Sequence, residues 1–182
     1  MENRLTIAGF GGQGVMVIGQ ILCYTAIDCG KEALFLPQYG PEQRGGTANC
    51  KVILSDQEIG SPITKKMDTL IAMNSLSLQK FQSDVKAEGI IFINSSQCAE
   101  SETRKDVRVF ALPLDSLANE IGSGKVANMI VFGAFVRYCG FFTQEQAIAS
   151  VKAKLDKRPQ LFEMNQKAVI CGFNMLTDML EK

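Results

Sequence analysis

Two glycine-rich segments carry the residues best suited to chemistry. Leu5-Thr6-Ile7-Ala8 runs into Gly9-Phe10-Gly11-Gly12-Gln13-Gly14, and an apolar helical run from Val15 to Ile27 follows. A glycine turn between strand and helix can present backbone N–H groups, and the positive end of the helix, to an anion. Gly9, Gly11 and Gly14 also satisfy the G-x-G-x-x-G spacing of a dinucleotide turn. The acid that would hold a ribose is missing, because Phe35, Leu36 and Pro37 occupy the end of the second strand. Asp28 and Glu32 come too early to replace it. A packing turn or a generic phosphate nest fits these residues better than a dinucleotide site.

The second segment is Pro37-Gln38-Tyr39-Gly40-Pro41-Glu42-Gln43-Arg44-Gly45-Gly46-Thr47. Prolines and glycines at this density exclude helix and regular strand. A loop so restrained would be expected to hold Glu42 and Arg44 in defined places. The Arg44 guanidinium can bind a carboxylate or phosphate through paired, planar hydrogen bonds. Gly45 and Gly46 would let a ligand or another chain approach the backbone. The alternative is an ion pair with Glu42 that only stiffens the connection. Tyr39 can stack on a cofactor or fill the base of the loop. Asn128, a polar residue in the apolar run Val126 to Val131, can satisfy a nearby backbone group or serve a site.

Residue types that are absent narrow the chemistry further. The sequence has no histidine, which removes the commonest general acid/base and the most frequent metal ligand. Covalent or metal-assisted hydrolysis by this chain alone is not expected. Cys23, Cys29, Cys50, Cys98, Cys139 and Cys171 form no C-x-x-C pair. They read as reduced core thiols in a cytoplasmic protein, not as cluster or zinc ligands. Lysine plus arginine equals aspartate plus glutamate at 19 each, against a nucleic-acid binder. The most apolar window, Val126 to Phe142, is too short for a membrane span and is broken by Asn128 and Arg137. Glu2 offsets Arg4, so the apolar run after them belongs to the glycine turn and not to a signal peptide.

The elements that must position these residues follow from hydrophobic pattern. Strands are predicted at Leu5–Ala8, Ala33–Leu36, Cys50–Leu54, Thr69–Met73, Ile90–Ile93 and Val107–Leu112, mostly as continuous apolar runs covered on both faces. One antiparallel element is expected where Cys50–Leu54 turns through Ser55-Asp56-Gln57 into Glu58-Ile59. The helix after the glycine turn is apolar nearly all round, with Val17 and Ile21 forming a second stripe, so burial on more than one side is expected. Further helices are predicted from Ser75 to Val85, after an Asp115 cap, after a Thr143/Gln146 capping box, and from Pro159 onward. Gly133-Ala134 should permit close helix packing. The fold class is α/β, a three-layer α/β/α sandwich with a mostly parallel, mixed sheet and a helical C-terminal third. Residues 1–182 read as one domain.

Together and in this order, the two segments resemble the gamma subunit of the 2-oxoacid:ferredoxin oxidoreductases. That family's G-x-G-G-Q-G turn reads here as Gly9 to Gly14, and its P-x-Y-G-x-E-x-R-G-G motif as Pro37 to Gly46. Its S-x-x-x-I-x-S-P strand end reads as Ser55 to Pro62. Ala127-Asn128-Met129, Gly133-Ala134, and Asn165 with Ala168 and Gly172 are also similar to the family. The resemblance implies a subunit of an enzyme that oxidatively decarboxylates a 2-oxoacid to acyl-CoA and reduces ferredoxin. Among substrates 2-oxoglutarate is slightly favoured over pyruvate, branched-chain 2-oxoacids and indolepyruvate. Thiamine diphosphate, Mg2+, iron–sulfur clusters and coenzyme A then belong to the assembled complex, with none bound by this chain alone. The implied partners are alpha, beta and delta subunits, with ferredoxin reached through the complex. No catalytic residue is expected here. Gly9, Gly11, Gly12, Gln13 and Gly14 would form an anion turn. Tyr39, Gly40, Glu42, Arg44, Gly45 and Gly46 would form an active-centre or interface loop, with Asn128 as a further contact. The chain would scaffold the complex and shape the coenzyme A channel. In isolation it would self-associate as a homo-oligomer through surfaces meant for partners. The rival reading is a stand-alone nucleotide- or phosphate-binding Rossmann-like protein.

Overall fold

The six apolar runs become the strands of one sheet. In this computed structural model, residues 1–39, 47–61, 65–155 and 159–181 are described. The strands are β1 (Glu2–Phe10), β2 (Glu32–Tyr39), β3 (Thr47–Ser55), β4 (Met67–Ala72), β5 (Val85–Asn94) and β6 (Arg108–Leu112). Their spatial order is β2-β3-β1-β4-β5-β6. β1, β4, β5 and β6 run parallel, with Ile7 opposite Ile71 and Phe92 opposite Phe110. In the centre of the sheet both faces are covered: Leu5, Ile7 and Ala8 of β1 are completely buried, as are Leu70, Ile71 and Ala72 of β4.

Two strand expectations need correction. The antiparallel element is β3 itself, which pairs antiparallel with both β1 and β2. No strand returns at Glu58-Ile59. The chain after Ser55 is instead tied back to the start of the molecule. Asp56 N donates to Met1 O at 3.0 Å, and the Asp56 carboxylate pairs with Lys31 and with the amino terminus. The second correction concerns Pro37, Gln38, Tyr39 and Thr47, which lie in regular strand. β2 is an edge strand, where proline's missing donor costs no ladder bond on the outer side. Gly40 to Gly46, including Glu42 and Arg44, lie outside the described residues, as does the side chain of Tyr39.

Six helices complete the described fold: α1 (Val15–Asp28), α2 (Ser75–Phe81), α3 (Leu114–Ile121), α4 (Ala127–Cys139), α5 (Gln144–Leu155) and α6 (Pro159–Leu180). α2 ends at Phe81, and a 3-10 turn over Gln82–Asp84 carries the chain on to Val85. Arg104 Nη1 donates to the carbonyls of Gln82 and Val85 at 2.8 Å each, which holds the following turn and delivers Val85 to β5. The Thr143/Gln146 capping box forms at the start of α5, with Thr143 N donating to Gln146 Oε1 and Gln146 N to Thr143 Oγ1. α1 is less enclosed than its sequence suggests. Ile21 is buried, but Val17, Tyr24 and Ile27 stand exposed along one side.

The layers are unequal. One face of the sheet carries α1 and α3 to α6, whose apolar side chains join Leu5, Ile7, Val52, Leu54, Phe92 and Phe110 in the main core. The other face is covered by α2, with Leu78 and Phe81 packed on Ala8, Leu70, Ile91 and Ile93. α4 and α6 cross in near contact. A Cβ on Gly133 would overlap the Val169 carbonyl, and one on Gly172 would overlap the Ile130 carbonyl. The close packing expected at Gly133-Ala134 is present, and Gly172 supplies its other half.

Candidate functional site

The parallel strands place their carboxyl ends along one rim of the sheet. From β1 the chain passes to β2 on one side, and from β3 it crosses to β4 on the other. A ligand crevice is favoured at such a reversal. A cleft of about 380 Å³ lies there, lined by the glycine turn after β1, by Met73 after β4, by Asp115 and Asn119 of α3, by Lys125 in the turn before α4, and by Asn128 at the start of α4.

The turn's geometry explains its glycines. Gly12 has φ +97° and Gly14 φ +75°, left-handed values that side chains rarely adopt. Gln13 N donates to Phe10 O at 3.1 Å, which closes the turn. A Cβ on Gly9 would come within 2.8 Å of Gln13 Oε1 and 3.0 Å of Met73 Cβ, so Gly9 makes room for the Gln13 side chain to fold back. Gly11 has open space around it. Gly14 caps α1 with no side-chain bond, and no acid occupies the first turn. α4 also has no acid in its first turn, but the 3-10 turn Gly124–Val126 runs straight into it and is capped by Ser123, whose Oγ accepts from Lys125 N at 3.3 Å. The first N–H groups of α1 lack intrahelical acceptors, and the helix dipole makes such an end attractive to anions.

Asn128 sits where the two helix starts meet. It is only 8% exposed, and its Oδ1 is buried without a hydrogen-bond partner. Its amide packs against Gly14 so closely that a Cβ on Gly14 would overlap it. Leaving a buried amide atom unpaired costs about 1–3 kcal/mol. That oxygen calls for a donor, while the amide's NH2, which lies against Gly14, can serve an acceptor. Among the described lining residues Lys125 is the one cation and Asp115 the one anion. The arrangement can hold a phosphate at the donor-rich end and a neutral polar group near Asp115.

The fold brings Gly9, Gly11, Gly12, Gln13, Gly14 and Asn128, all candidates from the sequence, to one place. Lys125, which follows Gly122-Ser123-Gly124, was not singled out from sequence. Asp115 was expected as a helix cap. It lies instead inside the first turn of α3, after Pro113, with both oxygens engaged by Asn94 Nδ2 at 2.8 Å and Gln97 Nε2 at 2.7 Å. The backbone of Tyr39 pairs with Ala48 at the sheet edge.

Among the described residues no three His, Cys, Asp or Glu side chains converge as metal ligands. Burial pushes the thiol pKa of Cys23 and Cys139 up to about 12, from an ordinary value of 9.0. Cys50 is pushed to about 12 by burial and the nearby Cys23, and Cys98 to about 11 by burial. Such thiols stay protonated and make poor ligands and nucleophiles at neutral pH. A thiol reagent should therefore label only Cys29 and Cys171, which are half-buried, before unfolding and all six cysteines after it. The unfolded chain ionises its thiols first. The stability they carry is thus whole below pH 9.0 and falls as pH rises towards 12, by up to about 1.4 kcal/mol per pH unit for each thiol. Urea melts at pH 8 and pH 10.5 would measure that loss; equal midpoints would contradict it.

Comparison with known proteins matches this architecture along nearly the whole chain. The family model described as pyruvate ferredoxin/flavodoxin oxidoreductase matches residues 4–175. The 2-oxoglutarate synthase subunit KorC of Methanothermobacter marburgensis is 33% identical over 185 residues, covering 98% of each chain. The ketoisovalerate oxidoreductase subunit VorA of the same organism is 32% identical over 181 residues, and this chain spans 38% of its length. Among solved structures, a keto/oxoacid ferredoxin oxidoreductase gamma subunit from Geobacter sulfurreducens superposes with TM-score 0.83 at 28% identity, over 97% of this chain and 99% of that one. The 2-oxoglutarate:ferredoxin oxidoreductase of Magnetococcus marinus, solved with 2-oxoglutarate, coenzyme A and succinyl-CoA bound, gives 0.88 at 19% identity over 97% of this chain and 31% of that one. With fold, glycine turn and family model in agreement, the chain belongs to the pyruvate ferredoxin/flavodoxin oxidoreductase family and is of its gamma-subunit type.

Proposed function

We propose that this chain serves as the gamma component of a 2-oxoacid:ferredoxin oxidoreductase and that its cleft holds a phosphate of coenzyme A. The observation that carries this reading is Asn128. Its amide lies against Gly14, at the uncapped start of α1 and beside Lys125, and with its NH2 end turned to the cleft it would donate to a phosphate oxygen. A phosphate there would accept from the turn's N–H groups and pair with the lysine. We place thiamine diphosphate with Mg2+ and the iron–sulfur clusters on the alpha, beta and delta chains, a reading supported by the lack of a grouped His, Cys, Asp or Glu set among the described residues. Its own task is to scaffold those chains and orient coenzyme A towards their active centre, in the cytoplasm. The loop with Tyr39, Gly40, Glu42, Arg44, Gly45 and Gly46 is the instrument we assign to contact with that centre or with a partner chain. Among 2-oxoacids we place 2-oxoglutarate first, supported by the end-to-end match to KorC, with the branched-chain acids next through VorA. Exposed Val17, Tyr24 and Ile27 support partner contact, or self-association of the isolated chain.

A stand-alone nucleotide-binding role is not favoured, because the family match takes in both the glycine turn and the C-terminal helices. Calorimetry of the purified chain separates the two readings. Coenzyme A should bind with an affinity that falls as salt rises, while NAD binds more weakly. Tighter binding of NAD than of coenzyme A, or no binding of coenzyme A at all, would overturn the proposal.

A further inference from the structure

Behind the glycine turn, a chain of side-chain amides runs along the carboxyl ends of β1, β4 and β5 and ends on a single charge. Gln13 Oε1 accepts from Phe10 N at 2.7 Å and from Asn74 Nδ2 at 2.9 Å. Gln13 Nε2 donates to Gln97 Oε1 at 3.3 Å, and Gln97 Nε2 donates to Asp115 Oδ2 at 2.7 Å. From the other side, Asn94 Nδ2 donates to Asp115 Oδ1 at 2.8 Å, while Asn94 Oδ1 accepts from Ser96 N at 3.2 Å.

The two ends of an amide have nearly the same shape, so only hydrogen-bond partners distinguish them. Here backbone donors fix both outer members. The Phe10 N–H requires an oxygen from Gln13, and the Ser96 N–H requires an oxygen from Asn94. Both chains of bonds therefore arrive at residue 115 as donors, one through Gln97 and one from Asn94. An ionised carboxylate accepts twice and donates nothing, which suits that place. An asparagine would bring one oxygen and one NH2, and one donor would be set against another. Because Gln97 is exposed and Asn94 fully buried, the break would fall on the Gln97–Gln13 side.

We infer that Asp115 is a positioning residue for the proposed anion site. As an obligate double acceptor it orients Gln97, Gln97 braces Gln13 Nε2, which also reaches the Met73 carbonyl at 3.4 Å, and the braced Gln13 holds the glycine turn in the shape that presents its N–H groups. The inference rests on the phosphate reading of the cleft, but part of its test does not. It also opposes simple electrostatics: Asp115 lines the same cleft, so removing its charge should strengthen anion binding if charge alone mattered.

The test compares Asp115→Asn with the double variant Asp115→Asn/Gln97→Glu in the full chain. In the double variant the carboxylate moves one link along. It accepts from Gln13 Nε2 and from the new amide at 115, whose oxygen accepts from Asn94. Coenzyme A and inorganic pyrophosphate are the probes, by calorimetry. The single variant should bind both about tenfold more weakly, the scale of one charge-assisted hydrogen bond, and the double variant should recover most of that loss. Exchange of the Phe10 amide proton in the ligand-free chain should quicken in the single variant and return in the double. Unchanged or tighter binding by Asp115→Asn would overturn the inference. So would a loss that the double variant leaves in place, since Asp115 would then touch the ligand itself. Failure of wild type to bind either probe would remove the phosphate reading alone, with the Phe10 exchange still deciding the relay.

Discussion

Gly172→Ala should destabilise the chain by about 3 kcal/mol or more. The methyl group would overlap the Ile130 carbonyl oxygen and press within 3.0 Å of Ala134 N, both backbone atoms of α4. Backbone cannot swing aside as a side chain can, so the two helices would have to part. Parting them opens space around Ile130, Val169 and Leu176, all in the main core, and lost packing adds to the strain. Gly133→Ala should act the same way through the Val169 carbonyl. Because both substitutions push the same pair of helices apart, their combined loss should fall short of the sum. Urea denaturation of the single and double variants measures this. A cost below about 1 kcal/mol for Gly172→Ala would mean that the helices do not cross as closely as described.

The second large effect falls on binding and leaves the core alone. Asn128→Asp keeps the side chain's size but places a negative charge where a phosphate is proposed to sit. Like charges brought together in a partly dry site cost several kcal/mol, so coenzyme A affinity should drop by about a hundredfold or more. The start of α4 favours an acid, which limits the cost to folding. Thermal melts beside calorimetry separate the two effects. Normal coenzyme A binding by Asn128→Asp would remove Asn128 from the site.

Much of this was legible in the residues, and the misses have physical causes. The strands were readable because buried central strands are written as continuous apolar runs. That same continuity hid the direction of β3. Cys50, Val52, Ile53 and Leu54 are buried from both faces, and nothing in such a run says whether its neighbours are parallel. Pro37 looked like a strand breaker because an edge position does not show in sequence. Gly14 and Asn128 could each be picked out, but 114 positions apart their contact depends on how α1 and α4 meet on one face of the sheet. Asp115 was misread for a related reason. An acid near a helix start suggests a cap, and only the fold shows that Asn94 and Gln97 claim both its oxygens. Lys125 was passed over because a lone lysine after small residues resembles any solvated turn.

The central claim is that the cleft between the starts of α1 and α4 holds a phosphate of coenzyme A. Backbone amide NMR of the labelled chain during titration with coenzyme A tests it most directly. Shifts should concentrate at Gly11, Gly12, Gly14, Lys125 and Asn128, and inorganic pyrophosphate should reproduce them in part. Binding that left these amides unmoved and shifted residues elsewhere would contradict the claim.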